Sequence, residues 1–343
     1  MSPVTATVNG KARQLQELRR DPVTGRWVIV STDRAKRPGD FVRDPVRPRL
    51  VGVCPFCAGN EDRTPPTIMS YAANGASAWR LRVISNKFPA LRVEGTLDRA
   101  ADGLYDRMNG IGAHEVVVEC PDHRISISDI PPKHVEDLFW AYRDRVLDLR
   151  KDTRLRFILL FKNHGEAAGA SVEHTHSQVM ALPVVPVSVQ GEIDGARRHF
   201  EYKERCIYCD VVRQEHTDGS RVVLEGDHVL AIAPYAARFP FETWLLPKRH
   251  GSHFENSDAT VIAEIAWAFR TIVRKMERVL EFPAYNMVLH SAPIQEQSMP
   301  HYHWHVEIIP RLTRVAGFEW GTGFHVNPTP PEEAAAFLRE AEA

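Results

Sequence analysis

Apolar positions along this chain follow two periods, one of strands and one of helices, and the periods come round in the same order twice. From Trp79, "WRLRVISNKFPALRV" and then "AHEVVVECPDH" read as strands, the second ending at His123. In "PPKHVEDLFWAYRDRVLDLRK" the spacing changes. Val135, Leu138, Phe139, Tyr142, Val146 and Leu149 recur three and four apart, which puts them on one stripe of a helix, and Pro131 and Pro132 suit its first turn. A strand "RFILLFKN", a glycine-rich turn and a strand beginning near His174 complete the first pass.

The second pass runs through "RVVLEGDHVLAIAP" and "FETWLLPKRH", ending at His250. A helix from about Ser257 follows, with Ile262, Ile265, Phe269, Ile272, Met276 and Leu280 on one stripe, then "NMVLHSAP" and "PHYHWHVEIIP". A C-x-x-C pair precedes each pass: Cys54 with Cys57, and Cys206 with Cys209. The interval from His123 to His174 is 51 residues and that from His250 to His303 is 53, so the order C-x-x-C, strands, His, helix, strand, H-x-H is duplicated. Cys54 to His123 spans 69 residues against 44 for Cys206 to His250, which predicts an insertion of about 25 residues in the first half, placed in the polar "VEGTLDRAADGLYDRMNG".

Within the strand "HTHSQVMALP", residues two apart point the same way, so His174, His176 and Gln178 share a face. With sixteen histidines in 343 residues, an H-x-H by itself is most simply an exposed strand surface. The preceding "GEAAGAS" changes the picture, because glycines and small side chains let backbone approach a ligand.

A formal net charge of −1 gives no electrostatic reason for a nucleic-acid partner, and nowhere do about 18 uncharged apolar residues run together for a membrane span. A cytoplasmic protein is expected. Five cysteines in so long a chain are too few for a secreted disulfide framework, and C-x-x-C then reads as metal binding or a redox dithiol. Redox pairs usually open a helix; here each pair is expected to begin a run of strands, which favours metal. Duplication supplies the ligands: Cys54, Cys57, His123 and His174 for one tetrahedral zinc, Cys206, Cys209, His250 and His303 for another, both structural because four protein ligands leave no open position.

The blocks "LRRDPVTGRWVIVSTDRAKRP", "CPFCAGN", "CPDH", "FKNHGEAAGASVEHTHSQ" and "PFETWLLPKRH" resemble, in order, those of the galactose-1-phosphate uridylyltransferases, a branch of the histidine-triad superfamily. The resemblance implies an α+β fold of two tandem histidine-triad-like repeats, antiparallel sheets flanked by helices, assembled as a homodimer. It divides the chain into an N-terminal arm (1–53), a first half (54–195) and a second half with a C-terminal hexose-binding segment (196–343). It also implies a ping-pong reaction in which UDP-glucose gives UMP to a histidine and galactose 1-phosphate accepts it. By motif position His176 is the nucleophile and Gln178 its amide partner, where the related hydrolases carry histidine. A nucleophilic imidazole needs its other nitrogen held, commonly by a backbone carbonyl, and an amide can donate to a phosphoryl oxygen without protonating a leaving group. The same resemblance assigns Asn163 and Ser171 to the phosphates, Gly169 to substrate binding, Arg34 and Arg37 to positions near the active site, Asn86 to the base side, and Glu319 and His325 to hexose hydroxyls.

Two departures open an alternative. The C-terminal strand reads His305-Val306-Glu307 and a second C-x-x-C is present, which is more like the plant ADP-glucose phosphorylases, and Lys87 follows Asn86 where the well-known uridylyltransferases carry an acid. Uridylyl transfer is the leading expectation, adenylyl transfer from ADP-glucose to phosphate the alternative. A silent zinc-stabilised nucleotide-binding module comes last, since His176 and Gln178 are both in place.

Overall fold

Ten strands join edge to edge in one antiparallel sheet that runs unbroken through both halves of the chain. The computed structural model describes residues 5–8, 11–14, 16–31, 36–41, 52–72, 78–123 and 126–342. The sheet strands are β1 (Thr67–Ala72), β2 (Trp79–Ser85), β3 (Ala113–Val118), β4 (Phe157–His164), β5 (His176–Leu182), β6 (Val222–Glu225), β7 (Val229–Ile232), β8 (Thr243–Pro247), β9 (Tyr285–His290) and β10 (His305–Pro310). Their spatial order is β6-β7-β8-β10-β9-β4-β5-β3-β2-β1. The halves meet where β4 pairs with β9, Asn163 facing Asn286. The α+β architecture with antiparallel sheets is as the resemblance implied.

Helices α1 (Pro132–Leu149) and α4 (Ala259–Leu280) cover one face of this sheet. Each begins where its sequence says it should: Pro131 and Pro132 open α1, and the Asp258 carboxylate accepts from the Val261 N–H at 3.0 Å to cap α4. Their apolar stripes interlock, with Phe139 edge-on to Phe269 at 5.9 Å, and pack on Leu160, Val179, Leu289 and Val306. Burying that many large side chains supplies the main stabilising term of the fold, at roughly 1.5–3 kcal/mol each.

Two helices that the apolar pattern did not announce, α2 (Val187–Lys203) and α3 (Ile207–Asp218), follow β5 and pack together. Their side of the sheet is the opposite one, where Leu230, Ile232, Trp244 and Leu246 lie. Helix α2 runs through the division expected at 195–196. The inserted segment holds a small hairpin, Ala100–Asp102 with Tyr105–Arg107. The described part of the arm contributes strands Glu17–Arg20 and Trp27–Val30, the latter pairing in parallel with His325–Asn327 of the C-terminal segment. Among the described residues no helix is long and apolar enough to cross a membrane.

Candidate functional site

His176 and Gln178 sit on β5 and point away from α1 and α4, because their neighbours Ser177 and Val179 face those helices. His174 lies just before the strand, fully buried, and its backbone carbonyl accepts from His176 Nδ1 at 2.8 Å. That bond places the proton on Nδ1 and leaves the Nε2 lone pair free. Burial, and then the charge of Lys162, hold His176 below the usual imidazole range, so the ring is neutral and able to attack. The ring is 7% exposed, with Phe56 edge-on at 5.4 Å.

Beneath the sheet Lys162 Nζ donates to Glu119 at 2.7 Å, to Thr175 Oγ1 at 2.8 Å and to the His176 carbonyl at 3.0 Å. Tyr142 donates to Ser177 at 2.7 Å. The backbone that carries His176 is thereby held from the core side.

The expected substrate residues divide into those that gather here and those that do not. Gln178 Oε1 is 2.7 Å from His114 Nε2, and Asn86 Nδ2 is 3.0 Å from that same nitrogen. Phe161 pairs with Gln178, and that register continued by two residues sets Asn163 beside His176. Gly169, at φ +90, ends the turn next to Asn163, and a Cβ there would be strained. Ser171 follows on the exposed approach to the motif.

Arg37 is exposed beside the C-terminal segment, where Lys36 N bonds the Pro328 carbonyl at 2.9 Å; Arg34 lies outside the described residues. Glu319 accepts from Ala316 N at 2.9 Å in the short helix Gly317–Thr322. His325 packs on Phe239 at 5.1 Å, pushed down to about 4 by burial and then by Arg238 and Arg26. Among the described residues no hydrogen bond or ring contact joins Glu319 or His325 to His176 or Gln178.

Both cysteine–histidine sets converge. Donor atoms of Cys54, Cys57, His123 and His174 lie within 4.8 Å of one another, as do those of Cys206, Cys209, His250 and His303. Cys57 Sγ is 3.5 Å from His123 Nδ1 and 3.6 Å from His174 Nδ1, and Cys209 Sγ is 3.5 Å from both His250 Nδ1 and His303 Nδ1. A tetrahedral ion bound at the usual zinc–sulfur and zinc–nitrogen lengths sets such S···N edges at about 3.5 Å, so the donors fit a metal. His174 Nε2 donates to the Cys120 carbonyl at 2.9 Å, which leaves Nδ1 as the ligand nitrogen.

One expectation is corrected. Cys206 is the N-cap of α3 and Cys209 lies in its first turn, so the second pair opens a helix rather than a run of strands. The histidines on two other segments, not the local secondary structure, make it a cluster that could hold a metal ion. The first pair does sit in a turn ahead of strands.

The second half repeats the geometry of His176 without its space. His305 Nδ1 bonds the His303 carbonyl at 3.1 Å, but Glu307 stands where Gln178 does, Arg238 bonds both Glu307 and Glu242, and His290 stacks on His305 at 4.7 Å. A cavity of about 20 Å³ remains, lined in part by Glu192, Glu242 and Glu307. Arg26 and Arg238 line it as well, and its volume takes roughly one water, too little for a phosphoryl group. His114, Asn286, Glu192, His290 and Arg238 were not singled out from the sequence. His114 lies on the open face of its strand and Asn286 opens "NMVLHSAP", but neither belongs to a motif.

Family models place the chain in sequence space. Residues 7–186 match the galactose-1-phosphate uridyl transferase N-terminal domain and residues 192–319 its C-terminal domain. The ADP-glucose phosphorylase of Arabidopsis thaliana is 39% identical over 95% of this chain and 93% of its own length. The galactose-1-phosphate uridylyltransferase of Thermotoga maritima is 32% identical over 96% and 99%. A crystal structure of an Arabidopsis thaliana ADP-glucose phosphorylase with bound ADP-glucose superposes with a TM-score of 0.82 at 36% identity, covering 96% of this chain and 100% of that one.

Proposed function

The chain belongs to the galactose-1-phosphate uridyl transferase family, and from that premise we propose that it moves a nucleoside monophosphate from a sugar nucleotide to an acceptor through a covalent bond to His176. The observation that carries this reading is the held imidazole: Nδ1–H on the His174 carbonyl, Nε2 free, Gln178 on the same face. Nε2 attacks the α-phosphorus of the donor, the bond to the sugar-phosphate oxygen breaks, and sugar 1-phosphate leaves. The positive charge that develops on the ring is shared with the His174 carbonyl. In the second half-reaction an acceptor phosphate oxygen attacks the same phosphorus and the P–N bond breaks. Gln178, Asn163 and Ser171 are read as donors to the phosphate oxygens, Asn86 as a contact on the nucleoside side.

ADP-glucose as donor and inorganic phosphate as acceptor are favoured. The Arabidopsis relative and its solved structure support this choice, as does the second C-x-x-C cluster. This reverses the order that the motifs alone support. The Thermotoga relative favours the second reading, UMP transfer from UDP-glucose to galactose 1-phosphate. Zinc is proposed for both clusters, one ion each, in a structural role: each ion would tie together the segments that carry its ligands, and in the first the Cys120 carbonyl holds the His174 ring. A homodimer is proposed as well, with Glu319 and His325 serving the partner's hexose, since neither reaches His176 in its own chain and Phe318 and Trp320 beside them are exposed.

Protein incubated with ADP-glucose or UDP-glucose radiolabelled in the nucleotide, then denatured and counted, tests the reading. Faster labelling by ADP-glucose, with phosphate discharging the label, supports the favoured form. Faster labelling by UDP-glucose with discharge by galactose 1-phosphate supports the second, and no retained label from either defeats both.

A further inference from the structure

An amide is two-ended: turned one way it donates, turned the other it presents a carbonyl oxygen. A phosphoryl group offers only acceptors, so an amide facing it helps in one orientation and repels in the other. Two amides face the transfer site, those of Gln178 and Asn163, and each is gripped at its oxygen by a side chain whose own polarity is set by backbone.

For Gln178 the anchor is a backbone donor. The Ala90 N–H points at His114 Nδ1 at 3.2 Å, and a backbone N–H has no other role to play, so Nδ1 is unprotonated. A neutral imidazole then carries its hydrogen on Nε2, which lies 2.7 Å from Gln178 Oε1. Asn86 also approaches that nitrogen, at 3.0 Å. Its oxygen is taken by the Phe88 N–H at 2.9 Å, so it turns an NH2 toward the Nε2–H of His114; donor faces donor there, no hydrogen bond forms, and the proton is offered no acceptor. The proton goes to Gln178, whose NH2 is the end left over.

For Asn163 the anchor is a backbone acceptor. Asn286 Nδ2 donates to the Ala168 carbonyl at 2.9 Å, which can only accept, so the nitrogen end of Asn286 is fixed there. Its other hydrogen reaches the neighbouring atom of Asn163 at 2.8 Å, which must then be oxygen. The Asn163 nitrogen is left beside Gly169, 3.7 Å from where a Cβ would stand.

We infer that His114 and Asn286 are positioning residues that fix both amides with their NH2 groups toward the phosphoryl group, so that the donor wall of the first half is set partly by a strand of the second. The inference rests on His176 as the nucleotidyl carrier. It gives the strand pair β4–β9 a functional duty as well as a structural one, and it explains why a side chain outside every motif is spent on a motif residue.

Double-mutant cycles on the full-length protein test it, reading the rate at which labelled donor marks His176. Asn286→Asp keeps the size but can only accept, so Asn163 turns its nitrogen toward it and its oxygen toward the phosphate. Labelling should slow roughly 10²-fold, the usual effect of losing one oriented donor, with little change in donor KM. In an Asn163→Ala background the same change should cost less than about 3-fold, because its target is gone. Asn286→Ala, which frees the amide without reversing it, should fall between wild type and Asn286→Asp. His114→Phe should likewise slow labelling in wild type and do little beside Gln178→Ala. Circular dichroism checks each variant's fold, and if Asn286→Asp does not fold, Asn286→Ala and the His114 cycle decide.

Additive cycles, or equal losses for Asn286→Asp and Asn286→Ala, would overturn the inference. A wild type that takes no label defeats the proposed function instead, so the two failures are distinct.

Discussion

Lys162→Met should destabilise the protein by an amount set by what the buried ammonium holds together. Lys162 and Glu119 are 1% and 0% exposed and 2.7 Å apart, and Lys162 gives its other two hydrogens to Thr175 Oγ1 and the His176 carbonyl. Methionine fills the space of the stem but leaves Glu119 a lone carboxylate in the core. Leaving such a charge uncompensated costs about 3–5 kcal/mol.

Urea unfolding of both proteins measures the loss. Adding Glu119→Gln, which removes the lone charge, should recover part of it. A loss below about 1 kcal/mol, or one that Glu119→Gln does not reduce, refutes the view that a buried charge pair holds the strand under His176.

Other expectations follow from the same structure. His176→Ala should abolish retained nucleotide label, and Gln178→His should raise hydrolysis of the labelled intermediate relative to transfer, because an imidazolium can protonate where an amide cannot. Purified protein should hold close to two equivalents of zinc, with Cys54→Ser and Cys206→Ser each losing about one together with thermal stability; metal-free protein of unchanged melting temperature would count against the ligand sets. Burial alone would lower His290, but Glu192 and Glu307 push it up to about 10. A raised histidine contributes stability that is fully present below its ordinary ~6.5 and is lost as pH climbs toward about 10, so unfolding free energy should decline across that window and His290→Asn should flatten the decline. If Glu319 serves the partner's hexose as proposed, Glu319→Ala should slow the sugar-phosphate half-reaction while leaving a mixed dimer, in which the partner supplies an intact Glu319, active at one site.

Much of this protein is set by local rules that a single strand of text displays. The stripes of α1 and α4 follow from side chains three and four apart meeting on one face, and the alternation of β5 puts His176 and Gln178 together whatever surrounds them. Duplication extended that reach, since matching intervals paired Cys54 with His174 and Cys206 with His303 across stretches no local rule spans. Where neither period nor repeat speaks, the chain was silent. Helix α2 has a weakly ordered apolar stripe, and the helix under Cys209 packs on Tyr302 and Trp244.

Tertiary structure alone decided which end of each amide faces the site. Asn286 reaches Asn163 from 123 residues away and His114 reaches Gln178 from 64, in a register that exists only once β4 pairs with β9 and β5 with β3. The same holds for His325, which shares a sequence block with Glu319 yet pairs with the arm strand Trp27–Val30. A residue type limits what a side chain can donate or accept. Which of those capacities is used depends on the backbone group it meets, and that meeting is made by strand pairing between segments far apart in the chain.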